Sequence, residues 1–110
     1  HDLAPLHRLM QRILAEGDES FALRGELANA IGQRPVRERQ LAAIELARAV
    51  IAQEMRNASL ARIPAIVSAH GDLNRLAAQA PTYNFDPALL VMEIGSLLAG
   101  AAQPREPAHG

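Results

Sequence analysis

The stretch PVRERQLAAIELARAVIAQEMRNA (residues 35–58) is the longest run of the chain with neither Gly nor Pro inside it. Pro35 suits the first position of a helix, where its fixed φ helps and its missing N–H removes no bond. Val36, Ala43, Ile44, Ala47, Val50, Ile51 and Met55 recur at helical spacing and mark one face, whereas Arg37, Glu38, Arg39, Arg48 and Arg56 fall largely off it. The pattern predicts a long central helix. Leu41 and Leu46 lie away from the main stripe, so this helix is either covered on two sides or offers apolar surface to a partner.

The rest of the chain agrees with that reading. Of 110 residues, 22 are Ala and 15 are Leu, while only three are aromatic, so the best helix formers are abundant and strand-favouring types are sparse. The expectation is an all-α fold: a compact bundle of four to five helices, a single domain, with no sheet. A hydrophobic content of 49% is enough for a folded core and excludes a disordered polymer.

Working outward, Asp2 can cap a first helix from Leu3 to Glu16, with a stripe of Leu6, Leu9, Met10, Ile13 and Leu14. Gly17 stops it. Asp18 or Ser20 caps a second helix carrying Leu23, Leu27, Ala30 and Ile31, with Phe21 at its start and Gly32 as a left-handed stop. Pro64 marks a break after the central helix. Gly71 and Asp72 then read as a second stop and cap, dividing residues 60–80 into two pieces; the alternative is one helix, since Ile66, Ala69, Leu73, Leu76, Ala77 and Ala80 nearly keep phase. In NFDPALL (84–90), Asp86 is a strong cap and Pro87 a favoured first residue, which sets Phe85 and Leu90 as the two ends of a hydrophobic staple. The last helix buries Leu90, Val91, Ile94, Leu97 and Leu98, and Gly95 with Ala99 permits close approach of a neighbouring helix, internal or, as an alternative, from a second copy. Residues 1–100 thus form the bundle, and 101–110, rich in Pro and Gly, read as a flexible tail or linker.

Several functions are disfavoured at once. Without Cys there are no disulfides, thiol nucleophiles or thiolate metal sites. The four His residues, at 1, 7, 70 and 109, show no metal-ligand spacing, and no catalytic or cofactor motif appears. His70, before Gly71, is expected at a helix end, where its protonated form suits the dipole. A net charge of -1 offers no field to recruit nucleic acid, and the longest apolar stretch (88–102) is too short for a membrane span and contains Glu93. All 11 basic residues are Arg, a bias expected of a GC-rich bacterial genome. The opening HDLAPL has neither Met nor a leader, so a domain of a longer regulatory, adaptor or secreted protein is expected.

RGELANAIGQRPVRERQ (24–40) resembles the helix-loop-helix of the small all-helical chorismate mutases, whose Arg and Glu side chains bind a dicarboxylate. The likeness covers about 17 residues. This chain has no Lys, where that family uses one in its pocket, and Gly17 with Asp18 interrupts what would be the family's long first helix; no catalytic residue is assigned from it.

Two readings follow. The first is a protein-interaction or oligomerisation module, binding another protein or itself through Leu41, Leu46, Tyr83, Arg37 and Arg39. The alternative is a small enzyme or sensor holding an anionic molecule on Arg34, Arg37 and Arg48.

Overall fold

The computed structural model describes residues 3–32, 37–82 and 85–104. Among these there are five α-helices and no strand: α1 (Ala4–Glu16), α2 (Ala22–Ile31), α3 (Arg37–Asn57), α4 (Ile63–Gln79) and α5 (Pro87–Gly100), with a 3₁₀ turn at Leu60–Arg62 leading into α4. The fold is an all-α bundle. Asp2, Pro35 and Val36, to which the sequence gives caps and a first turn, lie outside the described residues, as does Tyr83.

The expected stripes form the core. Leu6, Met10, Ile13 and Leu14 of α1 meet Leu23, Leu27 and Ile31 of α2 and Ala43, Ile44, Ala47, Val50 and Ile51 of α3, all buried. From the C-terminal half, Ile66, Leu73, Leu76, Leu90, Val91, Ile94 and Leu98 complete it. The closest helix pairs are α3 with α4 and α2 with α5, while α1 touches α2, α3 and α5.

Helix ends follow local chemistry. At Gly17 the chain turns out of α1 with φ of 76°, which a Cβ would resist, and the same amide still donates to the Ile13 carbonyl at 2.8 Å. At α5, the Asp86 carboxylate accepts from the amides of Ala88 and Leu89 at 2.9 and 3.1 Å. Phe85 is half-buried against the core to which Leu90 belongs, as a staple requires.

Two expectations need correction. Gly71 and Asp72 do not divide the fourth segment: α4 runs unbroken from Ile63 to Gln79, because Ile66, Ala69, Leu73 and Leu76 bury one continuous face. That burial outweighs the roughly 1 kcal/mol a mid-helix Gly costs. His70 therefore sits mid-helix, half-buried, with Nδ1 3.4 Å from the Asn74 amide nitrogen, and not at a helix terminus. The tail also begins later than Ala101, which is buried, and Gln103 N–H donates to the Leu14 carbonyl at 2.8 Å.

Among the described residues, no helix is long and apolar enough to cross a membrane.

Candidate functional site

Four of the seven sequence-predicted site residues, Arg34, Arg37, Arg39 and Arg48, are arginines, and the structure engages arginine side chains extensively within the bundle. Arg24, on the first turn of α2, is buried and makes a dense set of contacts. Its Nε donates to Asp18 Oδ2 at 2.7 Å, Nη2 to the Asp18 carbonyl at 2.7 Å, and Nη1 to Ser96 Oγ on α5 at 3.1 Å. The guanidinium carbon stacks 3.5 Å from the centroid of the Phe21 ring. Asp18 in turn caps α2, accepting from the amides of Leu23 and Arg24 at 2.8 and 3.0 Å, while Ser20 Oγ makes only a 3.4 Å contact with the Ala22 amide. Burial alone would raise the Asp18 carboxyl, but the Arg24 hydrogen bond, the two amides and the Arg24 charge outweigh it and hold its pKa below the ordinary value.

Three other arginines close helix C-termini. Arg39 of α3 donates to the carbonyls of Ala30 and Ile31, the last residues of α2, at 3.0 and 3.2 Å. Arg37 Nη2 donates to the Ala80 carbonyl just beyond α4. Arg62 donates to the Ala101 carbonyl after α5 at 2.8 Å and pairs with Glu54 of α3 at 2.7 Å, its Nε buried with no partner among the described residues. A cation at a helix C-terminus meets both orphan carbonyls and the negative end of the dipole.

The sequence-predicted residues are thus dispersed. Arg37 and Arg39 hold helix ends. Arg48 pairs with Glu45 at 2.8 Å and donates to Asn74 Oδ1 of α4 at 3.0 Å. Arg37 and Arg48, eleven residues apart in one helix, are separated by about 16 Å of rise. Arg34 and Tyr83 lie outside the described residues. Leu41 and Leu46 are half-buried against the core, so α3 is covered on more than one side. Gly95 faces inward under Arg24 and Leu27 of α2, which makes its close neighbour internal.

What remains open to solvent is a different surface. Leu60 is 90% exposed and Val67 52%, and Ala61, Pro64, Ala65 and Ser68 beside them are exposed as well. Between the inward-turned Arg62 and Asp72 this part of α4 carries no formal charge when His70 is neutral. Beside it, Ala65, Ser68 and Asp72 of α4 and Ser96, Leu97 and Gly100 of α5 border a groove of about 260 Å³. The sequence hid this face because Pro64 reads as a break and Leu60 and Val67 fall outside the stripe of Ile66, Ala69, Leu73 and Leu76.

A larger cleft of about 540 Å³ opens between α1 and α3, bordered by His7, Gln11 and Leu14 and by Val50, Gln53 and Glu54. Gln53 already accepts from Arg56 at 2.8 Å and Glu54 is held by Arg62, so the cleft assembles no acid–base pair. Among the described residues no group of three His, Asp or Glu is placed to hold a metal ion. Compared with family models, with curated proteins and with solved structures, the chain matches none, so any functional reading rests on this surface and its chemistry.

Proposed function

We propose that the domain is a protein-interaction module whose contact surface is the outward side of the first turns of α4 and of the 3₁₀ turn that leads into it. The observation that carries this reading is the uncharged strip of Leu60, Pro64 and Val67; the other exposed large apolar side chains, Phe21 and Leu89, stand on other elements. Exposed large aliphatic residues clustered along one helix are a recurrent feature of surfaces that bind other proteins. Arg24, Arg37, Arg39 and Arg62, by contrast, are engaged with carbonyls and carboxylates of the bundle itself.

Site-specific photo-crosslinking in the source cell tests the reading. A photoreactive side chain at Val67 is expected to form a discrete adduct, and one at Gln53, on the α1–α3 cleft, is expected to form none. No adduct at Val67, or equal adducts at both positions, overturns it. Light scattering of the purified chain separates a second copy from a different protein as the partner.

A further inference from the structure

Leu89, in the first turn of α5, is 70% exposed. Four and eight residues further along the same side of that helix stand Glu93 and Leu97. Glu93 is exposed and has no ion pair among the described residues, while Leu97 is half-buried. Leu97 also borders the groove that Ala65, Ser68 and Asp72 of α4 form with Ser96 and Gly100 of α5. Asp72 is paired with Arg75 on its own helix. This side of α5 thus presents an apolar, an acidic and an apolar residue in turn over about 12 Å. The short side chains of the groove beside it let another helix come close. Val67, five residues before Asp72, lies about 140° round α4 from it, so the stripe on α5 is separate from the surface of Leu60, Pro64 and Val67.

We infer that this stripe takes a helix of a different protein, one that carries a Lys or Arg with an aliphatic residue four positions to either side. The cation faces Glu93, and the two aliphatic side chains cover Leu89 and Leu97. This is a second contact surface and goes beyond the interaction reading, which uses another face. Spacing and charge together select the occupant. Against a second copy, whether antiparallel about Glu93 or parallel in register, Leu89 and Leu97 meet apolar partners but Glu93 meets Glu93. A register shifted by four residues sets a carboxylate on a Leu instead, which desolvates it without a partner. An anionic lipid or nucleic acid surface meets the same repulsion at Glu93. A basic residue at the centre of the partner's stripe removes each of these costs.

The test is a titration of the isotope-labelled full chain with a synthetic peptide of about 18 residues, a length of about 27 Å as a helix. The peptide carries Lys with Leu four positions before and after it. Two comparison peptides are used: one of scrambled order and one with Lys replaced by Glu. The expected result is saturable shifts of the amides of Leu89, Glu93, Ser96 and Leu97, with binding about tenfold weaker for the Glu peptide. In the Glu93→Lys chain the preference should reverse, the Glu peptide binding about tenfold tighter than the Lys peptide. Leu89→Ala should weaken the Lys peptide about tenfold, and Val67→Glu should leave it unchanged, which keeps this surface apart from the one on α4. The three positions are exposed, and circular dichroism confirms that each variant is folded. Absence of binding, equal binding of the three peptides, no reversal in Glu93→Lys, or shifts confined to other faces overturns the inference. Shifts of the same amides with the chain's own concentration overturn it in favour of a second copy.

Discussion

Arg24 lies where a side chain on Gly95 would begin: a Cβ built on Gly95 falls 2.4 Å from Arg24 Cγ and 3.1 Å from Cδ. Arg24 cannot retreat, because Asp18 and Ser96 hold its guanidinium. Gly95→Ala is therefore expected to destabilise the fold by about 1–3 kcal/mol, the usual range for overpacking a tight interface. Gly71→Ala should act in the opposite direction. No atom lies within 4 Å of a Cβ at Gly71, so the substitution removes a mid-helix Gly and gains about 0.5–1 kcal/mol. Urea unfolding midpoints of the two variants check both signs at once.

These glycines also show how far the sequence was legible. Gly17 and Gly71 are both followed by Asp, and the same stop-and-cap pattern was expected at each. At Gly17 the pattern is real, since the apolar stripe of α1 ends there and Asp18 has the amides of α2 to cap. At Gly71 the stripe continues through Leu73 and Leu76, and the local signal yields to burial. The Asp86 and Pro87 start of α5 was readable because capping depends on neighbours in sequence. The Arg24 contacts were not, since Ser96 and Gly95 are brought to it only by the packing of α2 on α5. The same limit applied to the arginines: Arg37 and Arg39 looked available for partners because the carbonyls they hold belong to other helices.

Arg39 should behave as part of the fold and not as a partner contact. Arg39→Ala removes the donors to Ala30 and Ile31, and a loss of about 1 kcal/mol is expected. Arg8→Ala, on the exposed side of α1, should change stability by less than about 0.5 kcal/mol. Thermal unfolding of the two variants side by side separates the roles.

Phe21 is the one described non-glycine residue with positive φ, at 65°. Left-handed backbone costs a residue with a Cβ about 1 kcal/mol, and the ring recovers part of this by stacking on Arg24. Phe21→Ala loses the stack and keeps the strain, whereas Phe21→Gly loses the stack and relieves it. The Gly variant should therefore be the more stable of the two by about 1 kcal/mol. A chemical denaturation series on both gives the comparison, and the reverse order would show that the strain is not there.

Asp18 makes the stability of the fold depend on pH. Burial opposes its charge, but the Arg24 hydrogen bond, the amides of Leu23 and Arg24 and the Arg24 charge together set its folded pKa below the ordinary 3.8. The folded state therefore favours the carboxylate. This contribution is fully present above 3.8 and is lost as pH falls through the folded pKa, because only then must the native protein take up the proton. Asp18→Asn leaves the Arg24 guanidinium buried beside a neutral group, and a loss of about 3 kcal/mol is expected at neutral pH. The gap between wild type and Asp18→Asn should then narrow on the acid side of 3.8, since protonation makes the native side chain neutral as well. Urea midpoints measured from neutral pH down into that range test the assignment. A constant gap would mean that the variant acts through packing, and that the charge of Asp18 contributes nothing to the docking of α2 on α5.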